Sequence, residues 1–167
     1  PRNAHDPNAV KVELEGRLIG FIPRDQAPAV SGWLAQQAVD GADMVCTITA
    51  SRVPVLESAW LAPGVHVNAV GASLPHAREL DSATVASARF FVDRRESTLA
   101  ESGDFLVPRS EGLITDSHIV AELGDLVSGR ALGRNSASER TVFKSLGLAV
   151  EDVAALRVLY DRATASG

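Results

Sequence analysis

The sequence predicts an α/β fold: a partial Rossmann-like parallel sheet with flanking helices, preceded by a β-hairpin segment. Three observations predict it. Short, continuous apolar runs at residues 44–50, 65–70 and 90–92 have the character of strands buried on both faces. Stretches of helical character alternate with them, as the right-handed crossovers of a parallel sheet require. The hydrophobic period of the first 37 residues differs from that of the rest.

In order along the chain, Val10, Val12 and Leu14 alternate with Lys11, Glu13 and Glu15, the two-residue period of a half-buried strand. Glu15, Gly16 and Arg17 make a tight turn, and residues 18–22 run back as a second strand that Pro23 ends. A lone hairpin is marginal in water, so this one needs a surface to dock on. Residues 27–34 read as a short helix. After the first two apolar runs, residues 81–88 read as a helix. Residues 117–128 do too, with Asp116 as N-cap, a stripe of Ile119, Val120, Leu123, Leu126 and Val127, and Gly129 just past the end. Val142, Leu146, Ala149, Val153, Leu156 and Tyr160 then line one face at a 3.6-residue period, predicting a last helix. The expected division is residues 1–36 and 37–167.

Composition bounds the function. Hydrophobic residues make up 46% of the chain and charged ones 22%, the balance of a folded globular protein. No apolar run is long enough for a membrane helix, and no secretory leader is visible, so a cytoplasmic protein without a membrane partner is expected. The single cysteine, Cys46, excludes an internal disulfide and a cysteine-based zinc cluster. A net charge of −5 disfavours a nucleic-acid partner, which calls for a basic surplus. The chain starts at Pro1 and its one methionine is Met44, so it reads as processed or as a piece of something longer.

Ligands of an open parallel sheet bind beyond the carboxyl ends of its strands. Those ends carry Thr49, Ala50 and Ser51 after the first run, Gly71, Ala72 and Ser73 after the second, and Asp93 after the third. Small residues let a ligand approach the backbone and hydroxyls supply hydrogen bonds, although small residues also suit any tight strand-to-loop turn. The sequence has no G-x-G-x-x-G turn and no G-x-x-x-x-G-K-[ST] loop, which weakens a nucleotide role for this chain alone. His5, His66, His76 and His118 lack metal-ligand spacing, and His66, inside a strand run, reads as a hydrogen-bonded structural residue. No metal is expected. Gly71 to Pro75 does not form a nucleophile elbow, because its last position is proline. Cys46, mid-strand in apolar company, reads as inert, and Arg94 and Arg95 as a solvated helix start.

Seven stretches in order resemble the C-terminal part of the ornithine cyclodeaminase/mu-crystallin family. They are Gly41-Ala42-Asp43, Pro54-Val55-Leu56, Trp60 to Gly64, Asn68 to Ser73 with Arg78-Glu79-Leu80, Glu101-Ser102-Gly103-Asp104, Ala121-Glu122-Leu123-Gly124, and Phe143 to Ala149 with Glu151-Asp152. The resemblance implies NAD or NADP on a Rossmann fold, and chemistry on a small amino-acid or cyclic imine substrate. By position, Thr49, Ala50 and Ser51 resemble the loop beside the cofactor, and Val70, Gly71 and Ser73 the neighbourhood of the nicotinamide. Where similar cyclodeaminases carry an acid/base aspartate, Ser73 stands here as the candidate catalytic residue, and a serine hydroxyl is no general base near neutral pH without an activating partner. The form Asn-Ala-Val-Gly-Ala-Ser is closer to the ketimine-reductase branch. The family's first Rossmann half and its N-terminal substrate domain have no counterpart in the sequence, so weak cofactor binding is expected.

Residues 1–34 resemble instead the later part of a HIRAN domain, through Asn3, Asp6 to Val10, Ile19 to Arg24 and Ala27. That resemblance implies an alternative function as a nucleic-acid-binding module, with His5, Asp6 and Phe21 on the contacting surface; Asp6-Pro7-Asn8 is equally an ordinary turn. Together the two resemblances predict a fusion or a rearranged coding sequence, joined within residues 34–38. A sheet cut from half a fold leaves an apolar flank, so either the hairpin covers it or a covering chain or homo-oligomer does.

Overall fold

The computed structural model describes residues 10–14, 17–22 and 39–165, the two hairpin strands by their backbone course. Among the described residues, seven strands form one sheet in the order β2-β1-β3-β4-β7-β5-β6. They are β1 (Val10–Leu14), β2 (Arg17–Ile22), β3 (Met44–Thr47), β4 (His66–Ala69), β5 (Arg89–Val92), β6 (Ile119–Glu122) and β7 (Thr141–Lys144). From β3 to β6 every neighbouring pair is parallel. β1 and β2 pair antiparallel with one another, and β1 pairs antiparallel with β3 through Lys11 opposite Cys46 and Val12 opposite Val45. The hairpin therefore docks on the edge of β3 and covers that flank. Arg17, read from sequence as part of the turn, is the first residue of β2 and pairs with Leu14. The expected helix at 27–34 lies outside the described residues.

Among the described residues, five helices connect and follow the strands: α1 (Ser82–Ser87), α2 (Arg95–Glu101), α3 (Gly103–Ser110), α4 (Leu123–Val127) and α5 (Ala149–Ala165). The Asp81 carboxylate caps α1 by accepting the Thr84 N–H at 2.8 Å, satisfying one of the helix's orphan donors, and accepts the Ser58 N–H as well. Alternating inward positions of β3 and β4 put Val45, Thr47, Val67 and Ala69 in the interior. There they meet Phe90 and Val92 of β5, Val142 of β7, Val85 of α1 and Phe105 of α3. The Phe90 and Phe105 rings pack at 5.6 Å between centroids. Each fully buried side chain of this size contributes about 1.5–3 kcal/mol.

Two expected helices are corrected. Residues 117–128 hold a 3-10 turn (Asp116–His118), then β6, then the short α4. The apolar spacing at 119, 120, 123, 126 and 127 satisfies a helical period, yet Ile119 and Ala121 point inward on alternate positions while Leu123 and Val127 are exposed. Tertiary pairing of β6 with β5 overrides the local pattern. Gly129 does stand just past α4 with a φ of 73°, as a C′ glycine should. Val142, placed by its spacing on the last helix, belongs to β7; the helix starts at Ala149. No residue of α5 is buried, and Val153, Leu156 and Tyr160 are all more than 60% exposed.

Candidate functional site

The carboxyl ends of β3 and β4 lie side by side, because the two strands pair in parallel with Thr47 opposite Ala69. The structure thus brings the segment 49–51 against the segment 70–73. Backbone bonds stitch them together: the Val70 N–H donates to the Thr47 carbonyl at 2.9 Å and the Ala72 N–H to the Thr49 carbonyl at 2.9 Å. Ser51 closes its own turn, its hydroxyl donating to the Val53 carbonyl while its N–H donates to Thr49 Oγ1. Ala50, Val70 and Ser73 are exposed, Val70 at 41%, whereas Thr49 is buried and Gly71 half-buried.

Gly71 is required by close approach. A Cβ there would overlap the Thr49 backbone and stand 2.5 Å from Glu79 Oε1. Ala72, next in line, takes a φ of 54°, a left-handed conformation that a residue with a Cβ adopts at a cost. The turn is held by side chains that sequence reasoning passed over. Glu79, wholly buried, accepts three donors: the Thr47 hydroxyl at 2.7 Å, the Gly71 N–H at 2.9 Å and the Thr49 N–H. Asp104, also wholly buried, accepts the N–H groups of Glu79 at 2.7 Å and Leu80 at 2.9 Å through Oδ1. Its Oδ2 lies 3.2 Å from Lys144 Nζ, near enough for an ion pair though without the alignment of a hydrogen bond. Lys144 completes the circuit by donating to the Gly71 carbonyl.

Burial pushes the Glu79 carboxyl above its ordinary pKa; the donors from Thr47 and Thr49 pull it back, and the nearby Asp104 charge adds to the rise. Glu79, Asp104 and Lys144 each fall within stretches that carry the family resemblance, and that was the available signal. Read singly, charged residues suggest a solvated surface.

The other candidates are structural. Asp93, at the end of β5, accepts the Leu146 and Gly147 N–H groups at 2.6 and 2.8 Å and so ties β5 to the exit of β7. His66 bonds Thr141 Oγ1 at 2.7 Å and Asn68 Oδ1 at 3.2 Å, the structural role its place in a strand suggested. Arg95 donates to the carbonyls of Asp116 and Ile119, so of the arginine pair Arg94 is the exposed member and Arg95 a brace between α2 and the start of β6. Among the described residues no group of three potential ligands could hold a metal ion, and no helix is long and apolar enough to cross a membrane. His5 and Asp6 lie outside the described residues. Phe21 lies in β2, opposite Lys11.

A five-stranded parallel sheet with helical crossovers and small residues at adjacent strand ends is a Rossmann-like fold. The sequence profile of the ornithine cyclodeaminase/mu-crystallin family matches residues 28–167, and the chain belongs to that family. It is 45% identical over 141 residues to the Delta(1)-pyrroline-2-carboxylate reductase of Bacillus cereus, covering 84% of this chain and 43% of the relative. It is likewise 45% identical over 126 residues to the mouse ketimine reductase mu-crystallin, covering 75% and 37%. Among solved structures, the Thermococcus litoralis Delta(1)-pyrroline-2-carboxylate reductase in complex with NADH and L-proline superposes with a TM-score of 0.75 at 41% identity, covering 80% of this chain and 41% of that one. The chain spans about two fifths of the length of these relatives.

Proposed function

We propose that the chain carries the strand-end half of an NAD(P)-linked imine reductase of the ketimine or pyrroline-2-carboxylate type, acting on small amino-acid-derived or cyclic imines. The observation that supports it most directly is the meeting of residues 49–51 and 70–73 at the carboxyl ends of β3 and β4, in a chain 45% identical to two such reductases. In this reading Thr49, Ala50, Ser51, Val70, Gly71 and Ser73 form the rim that faces the cofactor. Thr49 and Gly71 shape it with polar groups already engaged inside the protein, Val70 offers apolar surface to a ring, and the exposed Ser73 is the catalytic residue. Its hydroxyl orients the imine by hydrogen bonding, because an unactivated serine is no base near neutral pH. Serine at this position favours reduction over cyclodeamination.

The residues present fit the nicotinamide end of such a cofactor. They do not fit its pyrophosphate end, because the sequence has no glycine-rich turn to aim backbone N–H groups at phosphates. The cofactor supplies the reducing equivalent when bound; this chain's residues orient the ring and the substrate. Cytoplasmic location and association with a covering chain or a copy of itself belong to the same reading, and the exposed apolar residues of α5 support association.

The test is an amide-resolved NMR titration with NADH and NADPH. Binding in the millimolar range is expected, with shifts at Ala50, Ser51, Val70 and Ser73. Shifts elsewhere, or none, would refute the reading. If imine reduction is measured, Ser73→Ala is expected to lower turnover, and unchanged turnover removes Ser73 from the chemistry. The HIRAN-like reading of the N-terminal segment and the division at residues 36/37 are carried by sequence resemblance; the family match starts at residue 28.

A further inference from the structure

The rim just described stands on loops, and loops hold a geometry only when something beneath them does. Three donors from the two loops converge on one carboxylate: the Thr47 hydroxyl and the Gly71 N–H on Glu79 Oε2, and the Thr49 N–H on Oε1. Thr47 ends β3 and Thr49 follows it, Gly71 follows β4, and Glu79 is anchored outside both strands, on the segment that leads into α1. Its own N–H is fixed by Asp104, whose second oxygen faces Lys144, and Lys144 grips the Gly71 carbonyl. Both backbone polar groups of Gly71 are therefore held, its N–H by Glu79 and its carbonyl by Lys144. The carboxylate has no accessible surface, so it cannot touch a ligand itself.

We propose that Glu79 is a positioning residue: its buried carboxylate draws the two strand-end loops together and sets the spacing of the rim formed by Ala50, Ser51, Val70 and Ser73. The inference rests on the reductase reading for the identity of the ligand, and not for the clamp. A carboxylate suits this place because every partner is a donor. An isosteric amide cannot serve, since its oxygen can satisfy one side while its NH2 faces a donor on the other.

The experiment compares the full chain with Glu79→Gln and with Thr47→Val, which deletes one donor while keeping the side chain's shape. Amide hydrogen exchange and the NADH titration are read on each, at a temperature where circular dichroism shows the variant folded. Exchange at Thr49 and Gly71 is expected to accelerate at least about tenfold in both variants, with Val85 and Phe90 unchanged. NADH affinity is expected to fall at least about tenfold in Glu79→Gln and less in Thr47→Val. If protection falls equally across the sheet, Glu79 serves stability alone and the inference is overturned. Wild-type affinity in both folded variants overturns it too. If the unmodified chain itself fails to bind NADH, the reductase reading fails, and the exchange pattern still decides whether the clamp exists.

Discussion

Replacing Lys144 with methionine tests the buried circuit most severely. Methionine keeps most of the length and volume of the side chain, so the loss is electrostatic rather than steric. Two things vanish together: the ammonium 3.2 Å from Asp104, both side chains having no exposed surface, and the donor to the Gly71 carbonyl. Removing one partner of a buried ion pair costs about 3–5 kcal/mol, because the survivor is left charged in a poor solvent. An abandoned buried carbonyl costs about 1–3 kcal/mol. These overlap, and the two N–H donors on Asp104 Oδ1 soften the first. About 4 kcal/mol is therefore expected, a large share of the 5–15 kcal/mol that holds an ordinary domain together. Asp104→Asn strands the ammonium instead and should cost a similar amount. The double variant is neutral, keeps an oxygen for Glu79 and Leu80, and should lose far less than the two single changes combined. Urea unfolding followed by circular dichroism, at constant m-value, gives the cycle. A coupling of at least about 2 kcal/mol is expected; additivity within about 0.5 kcal/mol would show that the two charges do not sense each other.

Gly71→Ala should destabilise by about 3 kcal/mol, since the new methyl must displace Thr49 backbone rather than a flexible side chain; a melting temperature within a degree or so of the parent would refute the close approach. Burial holds the His66 pKa below its ordinary 6.5, so its contribution is fully present above 6.5 and lost as pH falls through the lowered value. Glu79 runs the other way, its raised value giving a contribution present at low pH and lost as pH rises through it. His66→Gln should therefore flatten the stability profile on the acid side of 6.5, and an unchanged slope there would exclude His66 as its source. A 3′-ended single-stranded DNA should bind feebly at physiological salt, because residues 1–37 are electrically neutral; submicromolar affinity by fluorescence anisotropy would reverse that reading.

β3, β4 and β5 were legible as short runs of apolar character, though only β5 is buried on both faces; β3 and β4 bury alternate residues and leave Met44, His66 and Asn68 partly exposed. β7 was not, because its sequence Thr-Val-Phe-Lys ends in a lysine that tertiary structure buries completely. Period alone put Val142 on the following helix. β6 was lost differently: four alternating residues sit inside a longer stretch whose apolar spacing also satisfies a helix, and pairing with β5 decides between them. The site divides the same way. Its rim was legible from small and hydroxyl-bearing residues at strand ends. Its floor was not, because Glu79, Asp104 and Lys144 are far apart in sequence and only the fold makes them neighbours.

The hairpin adds a constraint that neither segment carries alone. A strand edge offers one row of backbone groups, and β1 already takes that of β3 at Val45 and Cys46, antiparallel, where the family resemblance implies a parallel first half. A further strand cannot join β3 at those residues without displacing β1, and among the described strands the outer edge on this side is β2, at the end of the order. The carboxyl ends of β3 and β4 lie past the two residues that β1 occupies, so covering the flank leaves the rim at 49–51 and 70–73 in place. The same pairing therefore shields the apolar edge and leaves open the rim built by residues following the parallel strands, beneath which Glu79 and Lys144 hold Gly71.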